Sequence, residues 1–339
     1  MKKTVQSIGI VLEQLEDAKA VGRPLQELYH WREPEEIEAV TQALAALGYR
    51  VTLLGTPASL CRNTGRALAG IDFIFNISVG FITRFRMSQG PALYELLGMP
   101  YSGADPYSKM VSQNKQLTKG LLDGLGIPTP PWVFLQSLDD LPTADALVFP
   151  VIVKPAWEGA SIGMDKDAVV HNSSDLRERV ERILKGMKMP VIVERFIAGR
   201  ELKVGMVGHD PITFSGIIED TTVDWAPLGD QFLYFDAKKK GSFSKRALNS
   251  ADPAYARLMA DCHRLYHTFA PLDYATFDVR MDAEGNHYFL EFNADATLHP
   301  QRTLAECCRL NGLPYDSLIR GILDSAFRRF NLAGTQALL

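Results

Sequence analysis

Three groups of residues in this chain have types and spacings that could do chemistry. The first is VIVKPAWEGASIGM, Val151 to Met164, where an apolar run ends in Lys154 and a loop with glycines at 159 and 163 follows. A lysine at the mouth of a strand, beside backbone amides that glycine lets approach closely, suits an anion such as phosphate. The second is Lys115, near the start of the helical pattern SQNKQLTKGLLDGLG. The third lies in ATFDVRMDAEGNHYFLEFN, a hairpin pattern turning at Asp282-Ala283-Glu284-Gly285. Asp278 sits on its first strand. Glu291 and Asn293 sit on the second, two apart and so on one face. Two carboxylates and an amide oxygen form a hard-oxygen set suited to Mg²⁺ holding phosphates. Singly, these features read as a tight turn or a solvated polar face. Together they favour a metal–nucleotide site.

Rival chemistries fit less well. G-A-S-I-G matches the nucleophile elbow of serine hydrolases, but that elbow needs a helix directly after the serine. Here MDKDAVVHNSSD follows, and helical periodicity begins only near Asp175, with Glu178 placed as its capping partner. The downstream histidines His263, His267, His287 and His299 stand in no telling context. No G-x-x-x-x-G-K-[ST], H-E-x-x-H or kinase signature occurs. The formal charge of −4, with Lys238-Lys239-Lys240 as the lone lysine triplet, argues against a nucleic-acid or anionic-membrane partner. Four cysteines without C-x-x-C spacing fit a reduced, cytoplasmic setting. The opening MKKTVQSIGIVLEQLED lacks the apolar core of a signal peptide, and no window has the apolar length of a membrane span.

The elements that must position these groups fall into three parts. Residues 1–108 alternate strand patterns (SIGIVLE, YRVTLLG, IDFIFNIS) with helical ones (EEIEAVTQALAAL after Pro34, QGPALYELLG), which implies a parallel sheet. Residues 109–190 contain the Lys115 helix, the Lys154 strand and the glycine loop. Residues 191–339 open with PVIVERFIAGRELKVGMVG, two strand patterns around an Ala-Gly turn. The polar, aromatic QFLYFDAKKKG, the helix AYARLMADCHRLYHTF, the carboxylate hairpin and a last helix from about Tyr315 follow. The class is α/β, with α+β character in the C-terminal half.

In this order and spacing, FNISVG, ALYELLGMPYSGADPYSKMVSQNKQLTK, VIVKPAWEGASIGM, VIVERFIAGREL and YFLEFNADATLHP make the chain resemble the ATP-grasp superfamily over nearly its whole length. Within it the chain is similar to the D-alanine–D-alanine ligase-like carboxylate–amine ligases. The resemblance implies an ATP-grasp fold behind an N-terminal parallel-sheet domain. It implies ATP with one or two Mg²⁺ ions, or Mn²⁺ in their place. Lys115 and Lys154 would meet ATP phosphates. The loop Glu158, Gly159, Ala160, Ser161, Ile162 would close over the β- and γ-phosphates, with main-chain amides near Ser161 doing the holding. Glu194, Arg195, Phe196 and Ile197 would form the adenine linker and Glu201 would bind the ribose. Lys238 would meet the γ-phosphate and the acyl phosphate, and Asp278, Glu291 and Asn293 the metal. The implied activity joins a carboxylate to an amine through an acyl phosphate, releasing ADP and phosphate. The substrates would be small, amino acids among them, and a homodimer is the family expectation. Two alternatives stand beside it: a true D-alanine–D-alanine ligase of peptidoglycan synthesis, and a non-catalytic nucleotide-binding protein.

The chain departs from the family pattern mainly where substrates would lie. LEQLEDAKAVG replaces the usual G-x-S-x-E-type signature after the first strand. Thr276 stands where the ligases carry an arginine that stabilises the oxyanion, which makes Arg280 a candidate replacement. Thr297 stands where glycine is usual, and Ala160-Ser161 where two serines are common. Arg84 and Arg86 replace an acidic, glycine-rich segment. They read equally as a bidentate carboxylate site and as a solvated loop.

Overall fold

The computed structural model describes residues 2–22, 24, 31–81, 83–159, 162–232, 243–294 and 296–335. Ala160, Ser161 and Lys238, three of the expected site residues, lie outside them, as does most of QFLYFDAKKKG.

The N-terminal part holds β1 (Lys3–Thr4), β2 (Ser7–Val11), α1 (Leu15–Ala20), α2 (Pro34–Ala46), β3 (Arg50–Gly55), α3 (Pro57–Arg62), α4 (Thr64–Ala67), β4 (Phe73–Asn76) and α5 (Arg86–Leu96). Strands β3, β2 and β4 form a parallel sheet in that order, as the alternating pattern implies. Both β2 and β4 are buried at every position, which accounts for their unbroken apolar runs. The helix read from QGPALYELLG begins three residues earlier, at Arg86, and accommodates Pro91 within it.

Asn114 divides the Lys115 pattern into two helices, α6 (Pro106–Gln113) and α7 (Lys115–Gly124). Its side-chain oxygen accepts from the Gln116 amide at 3.0 Å and so satisfies a donor that a helix start leaves open. This cap sets Lys115 at the first position of α7. Next come β5 (Trp132–Leu135), β6 (Val151–Pro155), β7 (Val169–Val170), α8 (Ser173–Gly186) and β8 (Val191–Arg195). Helix α8 starts earlier than its sequence suggests. Asn172 is its cap and accepts from the Asp175 amide at 3.0 Å, so Asp175 lies within the first turn.

The last part holds β9 (Arg200–Val207), β10 (Phe214–Thr222), β11 (Phe243–Ala247), α9 (Tyr255–Thr268), β12 (Tyr274–Met281), β13 (His287–Asn293), α10 (Thr303–Leu310), α11 (Tyr315–Arg329) and β14 (Leu332–Ala333). An antiparallel sheet runs β5-β8-β6-β7, and a second runs β11-β10-β9-β12-β13. Sheet membership therefore changes between β8 and β9. The two strands flanking the Ala-Gly turn do not pair with each other. Gly199 (φ +134°) makes the change of sheet, and a β-carbon there would fall 2.1 Å from the Met281 carbonyl oxygen.

Three main cores hold these layers. Leu135, Val153, Val180 and Val193 pack the four-stranded sheet against α8. On the five-stranded sheet Val204, Phe277 and Phe292 meet Leu258 and Leu265 of α9 and Leu122 of α7. The N-terminal sheet buries Ile8 and Phe75 against Ile322 and Phe327 of α11, so this late helix covers the first sheet. Among the described residues no helix is long and apolar enough to cross a membrane.

Candidate active site

A cavity of about 550 Å³ opens where the two antiparallel sheets and the N-terminal part meet. Its wall includes Lys115, Lys154, Glu158, Gly159, Ile162, Glu194 to Ile197, Glu201, Asp278, Arg280, Glu291 and Asn293. The structure thus brings together every described residue that the sequence assigned to the nucleotide and the metal. The strand register explains the convergence of the metal set. Asp278 on β12 lies opposite Glu291 on β13, and Thr276 opposite Asn293. On the other edge of β12, Asp278 lies beside Lys203 and Arg280 beside Glu201.

Opposite charges hold these side chains in place. Lys203 Nζ is 2.9 Å from Glu201 Oε1 and 3.2 Å from Asp278 Oδ2. Burial pushes the Lys203 ammonium toward its neutral form, but Asp278, Glu201 and Asp220 outweigh that and hold it charged, well above the usual lysine range. Lys115 Nζ lies 3.0 Å from Glu291 Oε1 and also donates to the Glu158 carbonyl. Lys154 and Lys119 both pair with Glu194, which is fully buried. Burial raises the Glu194 pKa, yet the two ammonium groups outweigh it and bring it to about 2.

Sequence reasoning missed Lys119, Lys203 and Asp220. The first had a signal: KQLTK places Lys119 one turn from Lys115 on α7. Lys203 stands two residues from Glu201 and so shares its strand face.

The structure ties Arg280, the expected oxyanion donor, to Glu201. Its side chain is 2% exposed, pairs with Glu201 at 3.2 Å, and donates to the carbonyls of Gly199, Gly229 and Gln231. It also stacks over the Phe196 ring at 5.2 Å. Arg280 therefore shapes the Phe196–Glu201 wall of the cavity. The two arginines of FITRFRM take different places in the structure. Arg84 is exposed and lies over Trp157 at 5.9 Å. Arg86 is buried, donates to the Trp157 carbonyl at 3.3 Å and pairs with Glu158 at 3.2 Å, fastening the start of the glycine loop to α5.

A second charged cluster lines the same cavity. The Glu33 carboxylate faces His299 Nε2 at 3.3 Å and Arg302 at 3.5 Å. Beside it Glu36, 3% exposed, accepts from the Thr297 hydroxyl at 2.9 Å and the Leu298 amide at 2.8 Å, and pairs with Arg32 at 3.6 Å. A carboxylate from α2 thus pins the turn in which Thr297 replaces the family's glycine. Among the described residues Glu33, Glu35 and His299 also bring ligand atoms within 4.8 Å of one another, with Glu33 already engaged by Arg302. Glu36→Ala is expected to destabilise the protein by about 3–5 kcal/mol, the cost of leaving a buried charge without its partner. Urea unfolding measures it. A loss below about 1 kcal/mol, inside the range of surface pairs, would show that Glu36 is not needed to hold Arg32 and the turn.

The segment between β2 and α1 also reaches the cavity edge. Glu13, 1% exposed, accepts from the Ser78 hydroxyl and from the Val79 amide at 2.9 Å, and so fixes the FNISVG segment at the edge of the cavity. Burial raises its pKa against the lowering effect of those donors.

The crystal structure of D-alanine–D-alanine ligase from Bacillus anthracis complexed with ATP superposes with a TM-score of 0.72, covering 96% of this chain and 98% of that one at 20% identity. Fold and site together define the class: an ATP-grasp enzyme, an ATP-dependent, ADP-forming carboxylate–amine ligase. The family model for the D-ala D-ala ligase C-terminus matches residues 121–324, more than half of the chain, and the chain belongs to that family. The uncharacterized protein y4sG of Sinorhizobium fredii is 29% identical over 278 residues, 81% of this chain and 78% of that protein. D-alanine–D-alanine ligase of Aquifex aeolicus is also 29% identical, over 68% of this chain and 75% of that protein.

Proposed function

We propose that the enzyme joins the carboxylate of an amino acid or peptide to the amine of a second amino acid, with a pair of substrates other than two D-alanines. The observation that carries the reading is the meeting of Lys115, Lys154 and the Asp278–Glu291–Asn293 set in one cavity. The first substrate's carboxylate oxygen attacks the γ-phosphorus of ATP. The bond to the bridging oxygen breaks, giving an acyl phosphate and ADP. The amine nitrogen then attacks the acyl carbon, the tetrahedral intermediate collapses, and phosphate leaves as the nitrogen gives up its proton.

The protein's own part is positioning and charge. Lys154 and Lys115 offer ammonium groups to phosphate oxygens, and Lys238 takes the same role toward the γ-phosphate. Backbone amides around Ser161 hold the transferred group. The glycine loop, anchored by Arg86 and Lys115, excludes water that would hydrolyse the acyl phosphate. Phe196, Ile197 and Arg195 take the base, and Glu201 the ribose. Asp278, Glu291 and Asn293 supply hard oxygens of opposite charge to Lys203 and Lys115, a donor set that fits Mg²⁺, and the ion would neutralise phosphate charge there.

The choice against two D-alanines rests on Thr276, on the Glu36-pinned turn at Thr297, and on Glu33, His299 and Arg302 in the cavity wall. Four free cysteines, three of them buried, support a reducing cytoplasmic setting. Phosphate release from ATP with Mg²⁺ against D- and L-amino acids, singly and in pairs, tests the reading, with products identified by mass. Release only with a specific pair, and a product equal to their sum less one water, is expected. D-Ala-D-Ala as that product would return the chain to cell-wall synthesis and to the activity named for the Aquifex aeolicus relative.

A further inference from the structure

Lys119 is fully buried on α7, behind Glu194, and is not among the residues that line the cavity. Its Nζ donates to Thr129 Oγ1 at 2.9 Å, and that hydroxyl donates to the Phe289 carbonyl at 2.9 Å, so the ammonium is fixed from behind. Glu194 receives Lys119 on one carboxylate oxygen and Lys154 on the other. Of these two lysines, Lys154 reaches the cavity and Lys119 does not. One carboxylate thus holds two cations, one buried and one at the cavity wall.

The arrangement raises a question of charge. When Lys154 turns to a phosphate, Glu194 loses a partner while remaining buried. A buried carboxylate left without a cation is strongly unfavourable. With Lys119 in place, Glu194 stays paired throughout. Resting on the nucleotide reading above, we infer that Lys119 is a positioning residue: it holds the Glu194 carboxylate so that Lys154 is free to turn its ammonium onto nucleotide phosphate oxygens. The residues facing Glu194 support this. Its register neighbours Trp132 on β5 and Ile152 on β6 carry no charge, and Lys119 and Lys154 are the cations beside it, with Lys115 acting on Lys119 from the same helix face.

The inference has a proton signature. In Lys119→Met, Lys154 becomes the sole counter-ion of Glu194 among the described residues. ATP can then draw Lys154 away only if Glu194 takes up a proton, so ATP affinity should rise as pH falls. In the wild type Glu194 stays ionised and takes up none. Titration calorimetry of the full chain with ATP, in two buffers of different ionisation enthalpy, reads both quantities. Lys119→Met is expected to weaken ATP binding about 10- to 100-fold, the size of one charged contact, and to take up close to one proton per ATP bound. The double variant Lys119→Met/Glu194→Gln buries neither charge and leaves Lys154 free. Its ATP affinity is expected to match that of Glu194→Gln alone within about threefold, since Lys119 acts through the Glu194 charge, and its proton uptake to be lost. It also decides the matter if the single variant does not fold.

Wild-type affinity in Lys119→Met, or a further loss of affinity when Lys119→Met is added to Glu194→Gln, would overturn the inference and leave Lys119 a packing residue. A wild-type chain that fails to bind ATP would instead overturn the nucleotide reading, and the inference with it.

Discussion

Lys154→Ala is expected to lower ATP-dependent phosphate release by about 10²- to 10³-fold, the usual consequence of removing one preorganised charge donor from a reaction centre. The position explains why a single ammonium should matter so much. Lys154 lies near the end of β6, where the chain leaves the sheet for the glycine loop, so its Nζ is carried by a rigid strand to the cavity wall. The unfolding midpoint should stay close to that of the wild type. Removing Lys154 deletes one partner of Glu194 and leaves the other, Lys119, in place, so no buried charge is stranded. The lost side chain is partly exposed and belongs to none of the apolar cores. Phosphate release and urea unfolding on the same preparation separate the two effects. Undiminished release from a folded variant would remove Lys154, and with it the phosphate reading of VIVKPAWEGASIGM, from the mechanism.

That motif also shows how far local pattern reaches. Lys154, Asp278, Glu291 and Asn293 could be placed from spacing because each sits on a strand whose two-residue period fixes the face it presents. What the pattern does not contain is which strand lies next door. Arg280 shares a face with Asp278, as alternation requires, but β9 puts Glu201 beside it and Lys203 beside Asp278. The guanidinium is drawn to Glu201, a partner that the spacing within one strand does not announce. The same limit separates β8 from β9. Two strand patterns around a short turn look like a hairpin until Gly199 takes a backbone angle that sends the chain to another sheet. Long-range pairing hides Glu36 and Thr297 as well. Nothing near Glu36 in the sequence announces that its carboxylate will hold a turn 261 residues away. The N-terminal sheet was legible for the opposite reason, since its strands are buried on both faces and leave continuous apolar runs.

The carboxylate pair yields the other large effect. Asp278→Asn together with Glu291→Gln is expected to move half-activation by Mg²⁺ upward by roughly 10²-fold or more, beyond what loss of a supporting group alone costs a metal site. The substitutions keep shape and an oxygen donor on each side chain, and remove two negative charges. The sign follows from the neighbours. Lys203 and Lys115 lie 3.2 Å and 3.0 Å from these carboxylates, so neutralising them leaves two cations facing the place where a divalent cation must enter. Repulsion then adds to lost attraction. Lys203 keeps Glu201 as a partner at 2.9 Å, which preserves the charge balance on β9 and with it the fold. Raising Mg²⁺ should therefore recover part of the phosphate release, whereas a collapsed site would recover none. An unchanged Mg²⁺ titration in a folded double variant would mean that the cation binds elsewhere. The Glu33–Glu35–His299 cluster would then be the next place to substitute.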